Sequence, residues 1–241
     1  MKRLLALLMI CLLVLTFAPG CTNVPGAEEP QNRNQMQSGQ DGELPKAEAD
    51  TREDVLGEEK RIVMGFYTDA EGEIPSSKEA LEKYGHLLDE VAFFWYTFDE
   101  KGNVITAGKK DLSIKEAVQK KGAKAYALVH NMREGRFSAD LAHAVLSNPE
   151  IRSRFVQNLV ALTEKEKWDG ISIDIEKAPP ADRQNFTNFV AELHKALKAN
   201  DKILNISIPA KFFDYPSDLW SGAYDYEGIG KHADQIILMT Y

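Results

Sequence analysis

Cysteine is almost missing from this chain: among 241 residues only Cys11 and Cys21 occur. An internal disulfide framework is therefore excluded for any mature form that has lost Cys11. The five histidines, at 86, 130, 143, 194 and 232, form no H-E-x-x-H or similar ligand spacing, so no metal site is expected. No Gly-rich phosphate loop is present, which argues against nucleotide chemistry, and no other cofactor is implied. No G-x-S-x-G string occurs, so a serine nucleophile elbow is unsupported. Basic residues are outnumbered, 29 against 37 acidic, giving a net charge of −8. Such a balance argues against nucleic acid and against docking on anionic lipid. Nothing in the sequence sets an oligomeric state.

What is present begins with Met1-Lys-Arg3 and a nearly unbroken apolar run from Leu4 to Ala18. About 15 residues is short for a bilayer span and fits the hydrophobic region of a signal peptide. The run ends at Ala18-Pro-Gly-Cys21, which resembles a lipoprotein signal whose cysteine becomes the lipidated N-terminus. Residues 1–20 are read as that signal, and removing Lys2 and Arg3 takes the net charge from −8 to −10. A lone exported thiol is better explained as an anchor than as a redox site. The expected location is the outer face of the bacterial cytoplasmic membrane, held by lipid on Cys21, with simple secretion as the alternative. Residues 22–60 contain no aromatic residue and hold ten acidic against four basic residues. Little there could offset the entropy of ordering, so 21–60 reads as the lipidated cysteine and a disordered acidic linker. Such a tether has an end-to-end distance of roughly 35 Å.

From Arg61 onward strands and helices alternate, the sign of a parallel α/β fold. Strands are expected at 61–68, 91–98, 123–130, 169–176, 202–208 and 235–241. Helices are expected at 78–84, 111–121, from Ser138, from Pro149 to about 167, and at 181–199. In the last of these Phe186, Phe189, Val190, Leu193 and Leu197 share one face. A turn is expected at Asp99-Glu-Lys-Gly-Asn103 after the second strand, and 211–230 reads as a long aromatic-rich loop with a short helix.

The most informative stretch is Asp169-Gly-Ile-Ser-Ile-Asp-Ile-Glu176. Ile171, Ile173 and Ile175 alternate with Gly170, Ser172, Asp174 and Glu176, the period-2 pattern of a strand. One face is β-branched and suited to packing on helices; the other is small and acidic. Asp174 and Glu176 share that second face, roughly 7 Å apart along the strand. Two buried carboxylates are costly unless paired, protonated or employed. Like charge raises one pKa, and a raised pKa is what a general acid needs. On spacing alone, an edge strand with a solvated acidic face is an equal reading.

This stretch resembles the D-x-x-D-x-D-x-E signature of glycoside hydrolase family 18, the chitinase-like (β/α)8 TIM barrels. Asp169, Asp174 and Glu176 match; Ser172 stands where the family often has Asp, or Asn in its spore-cortex members. Leu238-Met-Thr-Tyr241 is similar to the family's strand-six M-x-Y-D motif. Gly222-Ala-Tyr-Asp-Tyr-Glu-Gly-Ile-Gly230 resembles the bacterial spore-cortex and peptidoglycan glucosaminidase branch. The resemblance runs from about Arg61 to Tyr241. It implies an α/β barrel of which about six βα units are present, since a complete barrel typically takes about 250 residues. A six-stranded open sheet is the alternative architecture.

The resemblance further implies a glycosidase acting on N-acetylglucosamine-containing polymer, peptidoglycan or chitin-like, by a substrate-assisted retaining route. Glu176 would be the general acid, Asp174 would hold the 2-acetamido group, Tyr241 would bond its oxygen, and Asp169 would support the acidic network. Ser172 carries no charge, so any relay through that position rests on a hydroxyl. Phe66 and Trp95 are candidates for stacking on sugar rings, with core packing as their competing role, and Asn131 is a candidate polar group of the cleft. The alternative function is a non-catalytic carbohydrate-binding lipoprotein on the same barrel. If Cys21 carries the anchor, Cys21→Ser moves the protein from the membrane fraction to the soluble fraction; an unchanged distribution rules Cys21 out.

Overall fold

The computed structural model describes residues 61–69 and 75–241. The signal, Cys21 and the linker lie outside the described residues. The strands are β1 (Met64–Tyr67), β2 (Glu90–Phe98), β3 (Val104–Thr106), β4 (Lys124–His130), β5 (Met132–Arg133), β6 (Arg136–Phe137), β7 (Gly170–Asp174), β8 (Ile203–Pro209) and β9 (Gln235–Met239). The helices are α1 (Lys78–Tyr84), α2 (Leu112–Lys120), α3 (Ala139–Leu146), α4 (Pro149–Glu166), α5 (Arg183–Lys198) and α6 (Tyr226–Gly230). Six strands pair in parallel in the order β1-β2-β4-β7-β8-β9, and β3 pairs antiparallel with β2. Chain order and spatial order coincide along the parallel strands, the arrangement of successive βα units in a barrel wall.

Local chemistry accounts for the helix starts. Asp111 accepts from Ser113 N at 3.0 Å, Ser138 accepts from Leu141 N at 3.2 Å, and Asn148 accepts from Glu150 N and Ile151 N at 2.9 and 3.2 Å. Each satisfies backbone donors that a first helical turn leaves unpaired. Pro149 follows Asn148 at the first helical position, where its missing N–H costs nothing.

The two sheet faces differ in chemistry. The helix-facing layer is apolar: Ile171, Ile173, Ile175, Leu204, Ile206 and Ile208 pack with Phe155, Phe186 and Phe189 in one continuous core. The five apolar residues expected on one face of α5 are all buried in it. The inner layer is small and mixed. Ala92, Tyr126 and Leu128 cluster there with Met64, Phe94 and Ile203. Below them Glu90, itself buried, accepts from Tyr126 Oη at 2.9 Å and Gln235 Nε2 at 3.1 Å.

A repeated device braces the feet of the strands. Asp89, Asp169 and Asp234 each immediately precede a strand (β2, β7, β9), and each carboxylate accepts a backbone N–H at the start of the neighbouring strand, in or just ahead of it. The partners are Val63, Ala125 and Leu204, at 3.0, 2.8 and 2.8 Å. Asp169 also accepts from Gln119 Nε2 at 2.8 Å. A carboxylate accepting from backbone N–H makes a strong, charge-assisted bond at a position where the ladder is just beginning.

Of the two readings of this stretch, the solvated edge strand is not what forms: β7 lies between β4 and β8. Its close seating depends on Gly170, where an added Cβ would stand 2.1 Å from the carbonyl oxygen of Ile203. Because the obstacle is backbone rather than a flexible side chain, Gly170→Ala is expected to destabilise the fold by about 3 kcal/mol or more, the upper range for overpacking. Urea unfolding measures this, and a loss below about 1 kcal/mol would mean that the β7–β8 spacing is not set by Gly170.

Candidate active site

The carboxyl end of β7 carries the acidic pair. His130 on β4 lies opposite Asp174, so the two side chains share the inner face of neighbouring strands. Past Asp174 the ladder ends, and side chains take over the bracing of the backbone. Asn131 accepts from Glu176 N at 2.9 Å and donates to Glu176 O at 2.8 Å, and it also donates to Ser138 O at 2.9 Å. Tyr224 Oη donates to Ile175 O at 2.9 Å. Lys177 then takes a left-handed conformation, φ 56°, and turns the chain away. Few non-glycine residues adopt this region, and its position directly after Glu176 fits the strain often found beside functional groups.

Burial sets the electrostatics. Asp174 is pushed up to about 7, chiefly by desolvation and secondarily by the nearby Glu176 carboxylate. Glu176 is also raised, by burial, with Lys177 opposing the shift. Asp174 Oδ1 and Ser172 Oγ are buried with no hydrogen-bond partner among the described residues. Tyr241 is exposed at the rim; slight desolvation and the negative charge of Asp174 and Glu176 raise its hydroxyl.

Two adjoining cavities meet at Glu176 and Tyr241. One, of about 540 Å³, is lined by Thr68, Asp69, Phe94, Met132 and Phe137 together with Asp174, Glu176 and Tyr241. The other, of about 620 Å³, is lined by Lys211, Phe212, Trp220 and Met239 with the same Glu176 and Tyr241. Both are of the size that small-molecule sites use. A separate groove of about 380 Å³ lies on the other side, between β3 and α4. Its Lys110 and Glu166 are paired at 2.7 Å, and Tyr96 donates to the same carboxylate at 2.5 Å, leaving no unpaired acid there. Among the described residues no three His, Cys, Asp or Glu side chains gather as a metal-binding group.

The predicted residues are thus sorted. Asp174, Glu176 and Tyr241 come together in one cleft. Asn131 is fully buried and supports the site from behind, holding the Glu176 backbone rather than lining the cleft. Asp169 is not in the acidic network: it stands at the opposite end of β7, roughly 16 Å from Asp174 along the strand, engaged with Ala125 and Gln119. Trp95 packs among Tyr67, Phe93 and Trp168, with Nε1 donating to Asp69 Oδ2 at 2.6 Å; it is almost wholly buried yet contributes to the wall of the cavity beside the acids. Phe66 is exposed on β1, the outermost strand, and lines neither cavity beside the acids.

Besides Trp95 and Tyr241, the aromatic groups that border the cleft are Phe94, Phe137, Phe212 and Trp220. Phe212 is fully exposed and Trp220 half-exposed, on the segment after β8. That segment is pinned at its base by Arg183, whose guanidinium bonds both Asp214 oxygens, at 3.0 and 2.7 Å, and the Gly222 carbonyl at 2.9 Å. Their signal was visible as aromatic residues that belong to no strand or helix pattern and follow the carboxyl end of a strand.

The fold and site define a parallel α/β protein of barrel type with an acidic cleft at the carboxyl ends of its strands. The chain belongs to the glycosyl hydrolases family 18, which it matches over residues 62–241. It is 35% identical over 169 residues to an uncharacterized glycosylase of Bacillus subtilis, covering 69% of this chain and 48% of the relative. It is 26% identical over 121 residues to the cortical fragment-lytic enzyme of Bacillus anthracis, covering 47% of this chain and 26% of the relative. Among solved structures, a chitinase from Chromobacterium violaceum superposes with a TM-score of 0.67 at 29% identity, over 75% of this chain and 56% of that one. The chain therefore spans about half, or less, of the length of the curated relatives it matches.

A carboxyl raised in the folded state holds its proton there while the unfolded chain releases it. Stability is then fullest below the ordinary Asp pKa and declines as pH rises toward about 7. Asp174→Asn is accordingly expected to match the unmodified protein at pH 3.5 and to exceed it in unfolding free energy at pH 8. The ceiling set by the shift is about 4 kcal/mol. Equal stability of the two proteins at pH 8 would show that Asp174 is not desolvated.

Proposed function

We propose that this chain carries the catalytic carboxylates of a glycosidase that hydrolyses polymers of 2-acetamido sugars, with bacterial wall peptidoglycan as the substrate. The observation that carries this reading is the convergence of Asp174, Glu176 and Tyr241 in one cleft, both acids raised by burial. Family membership and the cortical fragment-lytic relative support the substrate class.

The chemistry is substrate-assisted and needs no protein nucleophile. Glu176 gives its proton to the glycosidic oxygen as the bond to the anomeric carbon breaks. The acetamido carbonyl oxygen forms the new bond to that carbon, closing an oxazolinium ring. Asp174, ionised, accepts from the acetamido N–H and stabilises the positive ring, while Tyr241 donates to the acetamido oxygen and orients it. Water then attacks the anomeric carbon, Glu176 takes its proton, and the product keeps the starting configuration. Phe212 and Trp220 supply apolar faces beside the acid for neighbouring rings. Export and lipidation at Cys21 would place this cleft near the wall; no helix among the described residues is long and apolar enough to cross a membrane.

Glu176→Gln is expected to retain sugar binding and lower turnover of a muropeptide or chitooligosaccharide by at least about 100-fold. A thiazoline analogue of the cyclised intermediate should inhibit. Unchanged turnover in the variant removes Glu176 from the role, and a glycosyl ester on any carboxylate contradicts the substrate-assisted route. Sugar binding by the unmodified protein with no hydrolysis would instead favour a carbohydrate-binding role.

A further inference from the structure

His130 is used by nothing described so far, yet it occupies the position on β4 directly opposite Asp174. Its Nδ1 accepts the backbone N–H of Met132 at 3.1 Å, so in the neutral ring the proton resides on Nε2. That Nε2 is buried without a hydrogen-bond partner among the described residues, as is Oδ1 of Asp174. The ring is locked by Phe94, stacked on it at 4.1 Å and 14°. A buried donor and a buried acceptor, unmatched and on facing positions of adjacent strands, are each costly alone and complementary together.

We infer that His130 is a positioning residue: its neutral Nε2–H serves the buried oxygen of Asp174 through one bridging water, and thereby shifts the proton shared by the acidic pair toward Glu176. The role of the pair itself rests on the glycosidase reading above. Hydrogen bonding to the charged form of a carboxylate favours that form, so a donor on Asp174 opposes the upward push of its burial and, within the singly protonated pair, raises the share with Asp174 ionised and Glu176 protonated. That is the arrangement in which Glu176 can give a proton and Asp174 can hold a cationic ring. Burial pushes His130 down to about 4, which keeps it a neutral donor across the working range. Ser172, the nearest inward residue on β7, offers a hydroxyl in the same layer but no charge.

The other titratable groups bordering this position are few. Glu176 follows from β7, Tyr241 from the end of β9, Asp69 from the end of β1, and Lys109 from the segment after β3. Tyr224 lies close enough for Asp174 and Glu176 to act on it. Asp69 is engaged by Trp95 and Tyr67. Tyr224 already donates to Ile175 O. None is a neutral donor facing Asp174 from β4.

The full chain, labelled with ¹⁵N-histidine and ¹³C-carboxylates, tests this by NMR titration of the unmodified protein, His130→Phe and His130→Gln. The Phe ring preserves stacking on Phe94 without a donor, and the Gln amide restores an N–H. We expect the proton of His130 on Nε2. We also expect the lower of the pair's two pKa values to rise by at least about one unit in His130→Phe and to return most of the way in His130→Gln. The acid limb of any pH–rate profile should move with it. Titration unchanged in a folded His130→Phe, or an imidazole proton on Nδ1, overturns the inference. Absence of hydrolysis by the unmodified protein, with the titration shift intact, overturns the glycosidase reading and leaves the His130 assignment standing.

Discussion

Two partly buried carboxylates at the carboxyl end of one strand, facing one cleft, are the constraint to which the rest of the structure answers. Asp174 ends β7 and Glu176 follows it by two residues in the extended continuation, so both side chains face the cleft only while β7 keeps its register. A slip of one residue would turn both acids into the helix layer and the isoleucines into the cleft. The register is held from both ends. Asp169 bonds the foot of β4, and Asn131 with Tyr224 holds the backbone beyond the last ladder bond. Between them, Ile171, Ile173 and Ile175 are buried against the helices. Function and fold therefore meet on the same eight residues, with the apolar half supplying stability and the acidic half opposing it.

The inner layer shows how such a pair is tolerated. Beside the apolar cluster of Leu128, Met64 and Phe94 it carries neutral polar residues, Ser172, Asn205, Tyr126 and Gln235. Several of their polar atoms have no partner among the described residues, including both amide atoms of Asn205. A site selected for stability alone would satisfy or replace these groups. Retaining them lowers the local polarity cost of ionisation while keeping solvent away, which is the setting in which a carboxyl can titrate near neutrality.

Periodicity made much of this legible. The alternation in 169–176 identified the strand and its two faces, and the apolar spacing in 181–199 identified the face of α5. What periodicity cannot convey is which end of a strand a residue occupies relative to its neighbours. Asp169 belongs to the same motif as Asp174, yet it serves the opposite rim, because a strand extends more than 3 Å per residue. Trp95 carries both roles the sequence allowed: it packs against Trp168 in the aromatic layer, beside a register shift between Phe94 and Tyr96, and also borders the acidic cavity. The short strands β3, β5 and β6 escaped notice, since two or three residues carry no readable period. Asn131 was read as a cleft group, but its side chain substitutes for the missing ladder around Glu176, a role visible only once β4 and β7 are adjacent.

The central claim is that the acidic pair retains one proton into the neutral range. Difference potentiometry counts that proton directly, comparing the unmodified chain with a double variant carrying Asp174→Asn and Glu176→Gln. The account predicts that the unmodified protein releases one additional proton between about pH 6 and 8, centred near the value of about 7 set by burial of Asp174. A difference curve already complete below about pH 5, the range of ordinary carboxyls, would contradict it.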